Sequence, residues 1–272
     1  MVDRLVKNYD FSGISQGFGA SEFSDLLEAA YKKGGRKNKF TTKKSFAPSG
    51  IGYGNGRCPR FWHYAFNGAD FDYSKTSALA IANMDNGTDS GKRLARYLKQ
   101  ADILVGAELE VKHEDPPIGG FMDAMVHWKG EEVPVEIKTT RAETFQIRQA
   151  KMKAPGYQLI QLLLYMYVFN KPRGFFIIEN KNTHELLVLP IRMTEEHQQL
   201  VEYVLDWMRT VYSNAQDKDS LPKRPFTKSN PACKDCPVME TCWKGYVKET
   251  KARKGKDPSP GVVDLPVLEL PA

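Results

Sequence analysis

Residues 118–140 read IGGFMDAMVHWKGEEVPVEIKTT, two alternating apolar runs that meet at Lys129-Gly130. Alternation with period two sends neighbouring side chains to opposite faces of a strand, and a short turn between two such runs predicts a β-hairpin. Positions equidistant from the turn then oppose each other, so Trp128 faces Glu131 and Asp123 faces Glu136. One face carries Met122, Ala124 and Val126 against Ile137, Val135 and Val133, an apolar surface for a core. The other carries Phe121, Asp123, Met125 and His127 against Lys138, Glu136, Pro134 and Glu132. Like charges directly opposed on one face repel, so Asp123 and Glu136 call for a cation between them. Two converging carboxylates with the Lys138 ammonium beside them suit a hard divalent ion that polarises a phosphate and acidifies a bound water. Lys138 would position that water or offset charge developing in the transition state. Glu-x-Lys by itself is common in solvent-facing strands. The opposed aspartate and the dry reverse face are what raise the chemical reading above that plain one.

Upstream, ILVGAELEVKHE (103–114) alternates like a further strand, and residues 77–100 read as a helix despite Gly87 and Gly91. SEFSDLLEAAYKKG (21–34) is a second helical stretch, followed by a basic segment with Lys37, Lys39, Lys43 and Lys44. Downstream, residues 141–156 carry Arg141, Arg148, Lys151 and Lys153, which would meet phosphates at the mouth of the site or simply form a solvated face. Residues 157–170 are an apolar helix, GFFIIENK (174–181) and ELLVLPIR (185–192) a second strand pair, and residues 195–212 an amphipathic helix. Alternating strands and helices predict an α/β fold. The expected domains are an N-terminal helical and basic segment (1–45), a main domain (46–246) and a Pro-rich, disordered tail (247–272). VVDLPVLELP in that tail is a candidate docking peptide for a protein partner.

IGGFMD followed by VEIKTT resembles the PD-(D/E)XK nuclease superfamily in its RecB-like branch, with Asp123, Glu136 and Lys138 on the D…ExK positions. QLLLY, Gln161 to Tyr165, matches that branch's Gln-x-x-x-Tyr motif, and the i, i+4 spacing puts both side chains on one helical face. The resemblance implies a restriction-endonuclease-like mixed central sheet flanked by helices. It implies Mg²⁺ or Mn²⁺ held by Asp123, Glu136 and the Ile137 backbone carbonyl, with Glu110 as a further acidic residue and Glu108 as the second choice. Many members also carry a histidine in a Gly-x-x-x-His pattern. Counting from Gly87 places Gly91 there, a departure that puts a second ion in doubt; Asp89 is the nearest substitute. His113 and His127 match no ligand position and are expected at the surface or behind the ligands, supporting them.

Cys233-x2-Cys236-x5-Cys242 is compact, and Cys58 lies far upstream in RCPRFWHY. Four thiolates suit either a tetrahedral Zn²⁺ or a 4Fe–4S cluster, and spacing does not separate them. One cysteine before the core and three after it resemble the iron–sulfur RecB-family nucleases, which include the AddB nuclease domain and CRISPR-associated adaptation nucleases. That likeness implies a 4Fe–4S cluster joining the N- and C-terminal segments. Phe61, Trp62 and Tyr64 are expected to pack around Cys58, with base stacking as the alternative.

The chain has 272 residues and a formal net charge of +6. This modest excess suits a polyanion such as DNA, single-stranded or with duplex ends, as well as a solvated surface. No apolar run approaches the roughly 20 residues that span a bilayer, so no membrane partner is expected. The absence of a signal-peptide apolar core points to a bacterial or host-cell cytoplasm, where the four cysteines are not expected to form disulfides. The function expected is a phage-type or accessory DNA exonuclease in recombination, repair or phage replication. The alternatives are a non-catalytic DNA-binding or assembly protein of the same fold, and a zinc-stabilised nucleic-acid-binding module.

Overall fold

A computed structural model describes residues 20–34, 42–74, 76–244 and 263–270. The elements are α1 (Ala20–Gly34), α2 (Pro59–Phe66), α3 (Ala78–Gln100), β1 (Leu104–His113), β2 (Ile118–Trp128) and β3 (Glu131–Thr140). There follow α4 (Ala142–Lys151), α5 (Gly156–Val168), β4 (Arg173–Asn180), β5 (Leu186–Arg192), α6 (Glu195–Gln216), α7 (Pro231–Lys234) and α8 (Met239–Trp243). The five strands form one mixed sheet in sequence order. β1, β2 and β3 form an antiparallel meander, β4 joins β3 in parallel after the α4–α5 crossover, and β5 returns antiparallel. This is the α/β, restriction-endonuclease-like architecture expected from the sequence.

Local chemistry accounts for the element ends. Lys129 (φ 50°) and Gly130 (φ 84°) are both left-handed, the geometry of a two-residue hairpin turn that matches strand twist. The Ser77 hydroxyl accepts the Ala80 N–H to start α3, and Thr194 does the same for His197 at α6, where Glu195 and Glu196 complement the helix dipole. Pro134 is tolerated inside β3 because β4 pairs only from Val135 onward.

Two layers cover the sheet. On one face Leu94 of α3 packs on Ala124, Val126, Val133, Val135, Ile137 and Ile177. On the other, α5 inserts Ile160, Leu162, Leu163, Leu164 and Met166 against Phe176 and Ile178, with α6 and α2 behind. Each such fully buried side chain contributes about 1.5–3 kcal/mol of transfer free energy. Phe61 and Trp62 belong to this core, 6 % and 1 % exposed, so they pack and are closed to nucleobases. α4 was read from the sequence only as a basic stretch; it is a helix ended by left-handed Met152.

The tail corrects its expectation. Residues 263–270 lie along the body: Val263 bridges Pro222, the Trp207 indole donates to the Pro266 carbonyl, and Leu268 is fully buried. Arg57 Nε and the Leu268 N–H reciprocally bond the Leu268 and Arg57 carbonyls. Alternating apolar positions without helical periodicity let this segment bury Leu268 as an extended strap. The chain thus covers itself with part of the peptide expected to be disordered or to dock a partner. Residues 247–262, and Lys37 and Lys39 of the basic segment, lie outside the described residues.

Candidate functional site

The β2–β3 ladder runs in the expected register from Trp128–Glu131 to Ala124–Val135 and then stops. At the next position the Asp123 carboxylate takes the place of a ladder partner, accepting the Ile137 N–H at 2.7 Å. The strands part there, and Glu136 and Lys138 turn into the gap. On the other side of β2 lies β1. Its pairs with β2 bracket Glu108 and Asp123, and Glu108 holds a left-handed φ of 52°. Strict alternation breaks at this point. Met122, expected on the face of Ala124 and Val126, instead packs with Met125, Val111 and Tyr165 on the α5 side.

The same kink corrects the acidic residue expected on β1. Glu110 sits opposite Phe121 and is ion-paired at 2.9 Å to Lys112, both side chains more than half exposed to solvent. Glu108 is the residue whose charge is felt at Asp123 and Tyr165. Only a backbone dihedral separates the two, and no sequence period encodes it.

Glu136 is fully buried, and its Oε1 is ion-paired with Lys138. Apart from this contact, neither carboxylate oxygen has a hydrogen-bond donor. Burial, reinforced by the Asp123 charge, pushes its pKa up to about 8, against the opposing pull of Lys138. Burial likewise raises Asp123, while Lys138 and the Ile137 N–H hold it down. Burial alone would lower the Lys138 ammonium, but Glu136 and Asp123 together carry it above its ordinary value. Ionising both carboxyls sets two negative charges against one ammonium in a buried place, which is why Glu136 holds its proton so far above the ordinary range. Buried carboxylate oxygens without donors have the chemistry of cation ligands.

α5 seals the site from behind. Gln161 Nε2 donates to the Tyr165 hydroxyl at 3.0 Å, and that hydroxyl donates to the Phe121 carbonyl at 2.9 Å. Both side chains are buried, so the Gln-x-x-x-Tyr pair fastens the helix to β2 two residues before Asp123. Burial, together with Glu136, pushes the Tyr165 hydroxyl well above its ordinary value, so it stays a neutral donor.

The basic residues after β3 divide. Arg148 and Lys138 both lie within electrostatic reach of Tyr157, and the Arg148 Nη1 is buried without a hydrogen-bond partner. Arg141, Lys151 and Lys153 are exposed on or beside α4. Tyr157 and its neighbour Tyr53, ring centroids 5.0 Å apart, were not singled out by the sequence, since neither belongs to a motif. Gly91 has open space where a side chain would stand, and Asp89 is exposed, so neither supplies the missing imidazole. A groove of about 580 Å³, lined by Trp128, Phe175 and Arg173, lies at the far end of the hairpin and holds none of these carboxylates.

Cys58, Cys233, Cys236 and Cys242 line one small cavity with Phe61, Phe226 and Trp243. The N-terminal and C-terminal segments are therefore joined where the sequence predicts. Burial pushes the Cys58 and Cys236 thiols up to about 12, and each feels the charge of the other cysteines. Among the described residues no three His, Cys, Asp or Glu side chains yet meet at the distance of a single ion, here or at Asp123.

No helix among the described residues is long and apolar enough to cross a membrane. No curated protein matches the chain. Among solved structures, similarity is found to an alkaline exonuclease (LHK-Exo) from Laribacter hongkongensis, 12 % identical with a TM-score of 0.48 over 71 % of this chain and 94 % of that one. LHK-Exo in complex with dAMP is similar at 17 % identity and a TM-score of 0.41, over 50 % of this chain and 69 % of that one. SSO0001 is similar at 17 % and 0.41, over 81 % and 96 %. A family model of the PD-(D/E)XK nuclease superfamily matches residues 85–243, a span that holds the whole sheet, Asp123, Glu136, Lys138 and three of the four cysteines, and the chain belongs to that superfamily.

Proposed function

We propose that this protein is a Mg²⁺- or Mn²⁺-dependent deoxyribonuclease of the RecB-like branch, acting as an exonuclease on DNA ends or single strands. The observation that carries the reading is Glu136, a fully buried carboxylate with no hydrogen-bond donor beyond Lys138, set beside Asp123. Asp123 and Glu136, with the Ile137 carbonyl and Glu108, would hold the divalent ion. When bound, it supplies Lewis-acid polarisation of the phosphate and an acidified water. Asp123 also keeps the Ile137 backbone fixed at the cleft. Lys138, charged at neutral pH, orients the attacking water and offsets charge on the phosphate oxygens. Tyr165 and Gln161 hold β2 in place, and Arg148 is the basic side chain best placed to meet a flanking phosphate, with Arg141, Lys151 and Lys153 further out.

The cysteine cavity is read as the seat of a 4Fe–4S cluster with a structural role. An all-thiol donor set accepts Zn²⁺ as well; the order of one cysteine before the core and three after it supports the cluster. Recombination, repair and phage replication are the settings in which such an activity would serve. The empty position at Gly91 favours a second reading, a DNA-binding or assembly protein that keeps the fold without turnover.

Anaerobically purified protein is assayed on labelled single- and double-stranded DNA with Mg²⁺, Mn²⁺ or EDTA, alongside its visible absorbance. Cleavage is expected with either metal and absent in EDTA, and Asp123→Ala abolishes it without bleaching the protein. Inactivity with both metals on every end structure sinks the enzyme reading. Cys58→Ser is expected to remove the iron–sulfur absorbance; a colourless wild type with stoichiometric zinc overturns the cluster.

A further inference from the structure

Tyr53 is 65 % exposed. It stands between Gly52 (φ 80°) and Gly54 (φ 51°), both left-handed, directly after the fully buried Ile51. A side chain at Gly52 would run into Leu270 at 2.2 Å, so the strap formed by the tail packs against this loop. The ring is thus presented outward by a built loop. It leans on Tyr157, the residue that follows the N-terminal glycine of α5, with centroids 5.0 Å apart and planes tilted by 39°.

The two tyrosines line a groove of about 390 Å³. Arg57 and Asp235 also line it, and Tyr157 lies within electrostatic reach of Arg148 and Lys138. Asn55, Phe226 and Ala232 line both this groove and the cysteine cavity. An exposed aromatic ring backed by a second, half-buried one, with arginine and lysine side chains near, is what a single-stranded nucleic acid needs: stacking for unpaired bases and charge for phosphates. Bases of an intact duplex are stacked on each other and cannot use such a platform.

We propose that Tyr53 and Tyr157 form a stacking platform for an unpaired base of single-stranded DNA, next to the nucleotide held at Lys138. This rests on the nuclease reading and adds the strand preference to it. The cysteine module then serves as the far wall of the strand's path, which is the reason to tie it to the core.

Binding is measured without divalent ion, by fluorescence anisotropy of labelled oligothymidylate and of a blunt duplex. Tyr53→Ala is expected to weaken oligothymidylate binding by roughly five- to a hundredfold, the range for one base–aromatic stack. Tyr53→Phe and Tyr53→Trp should bind like wild type, and duplex affinity should not move. A 2-aminopurine base in the oligonucleotide should be quenched by wild type and not by Tyr53→Ala. Unchanged oligothymidylate affinity in Tyr53→Ala, or equal loss on duplex and single strand, overturns the platform. Cleavage by wild type that Lys138→Ala abolishes keeps the nuclease reading intact even then; loss of stacking in a protein that cleaves nothing would fell the enzyme and spare the platform.

Discussion

At the hairpin, Asp123, Glu136 and Lys138 come from two consecutive strands, whereas the cysteine cavity draws Cys58 from the start of α2 and its other three thiols from the C-terminal α7–α8 region. Both places bury ionisable groups at a cost. Glu136 is pushed up to about 8 and Cys58 and Cys236 to about 12, in each case chiefly by burial. They differ in what offsets that cost. At the hairpin, Lys138 pairs with Glu136 and compensates part of the charge. The thiols hold each other's company in a cavity of about 20 Å³ and are joined through core packing and the tail strap. A local site needs register; a distant one needs the whole chain to close.

The sharpest way to break this contrast is Lys138→Ala. It should lower DNA cleavage by about 10²–10³-fold, with the metal content of the cysteine cavity unchanged. Loss of that content would show the two regions to be one cooperative unit, measured by absorbance and metal analysis on the purified variant.

Leu268→Ala acts on the other region. Leu268 is fully buried and its backbone clasps Arg57, one residue before Cys58. Truncation should cost about 2–5 kcal/mol in denaturant unfolding while leaving divalent-ion affinity at the hairpin intact. A melt like that of wild type would mean that the strap is dispensable.

The pH response sharpens the hairpin side. A carboxyl whose folded pKa is about 8 against an ordinary 4.5 keeps its proton when folded and loses it when unfolded across that window. Cation-free protein should therefore lose stability as pH rises from about 4.5 to about 8, and Glu136→Gln should flatten the trend. Divalent-ion affinity should climb roughly tenfold per pH unit in the same window, because binding displaces that proton. Isothermal titration at several pH values tests this, and an affinity flat with pH would show Glu136 already ionised.

Tyr165→Phe is the mildest change. It removes the bond to the Phe121 carbonyl and leaves Gln161 Nε2 without its acceptor. The expected cost is about 1–3 kcal/mol of stability, with cleavage reduced about tenfold or less. A loss as large as that of Lys138→Ala would place the hydroxyl in the chemistry.

Much of this was legible in particular residues. Lys129-Gly130 and the flanking alternation determined the hairpin register down to the approach of Asp123 and Glu136, because side-chain period and turn length are local properties. Gln161 and Tyr165 were legible as a same-face pair for the same reason. The cysteines were legible as a group, since few other roles gather three in a polar loop. Tertiary structure alone decided the rest. Met122 packs on the other face, and Glu108, left-handed, rather than Glu110 stands across from Asp123, a choice made by how β1 meets β2. The strap at residues 263–270 has no helical periodicity to announce it, and its order comes from a hydrophobic slot built by distant segments. Tyr53 and Tyr157 are far apart in the chain and meet only when α5 packs beneath the Gly52–Gly54 loop. Sequence patterns carry what neighbours along the chain decide. Which side chains become neighbours in space is settled when the whole core closes.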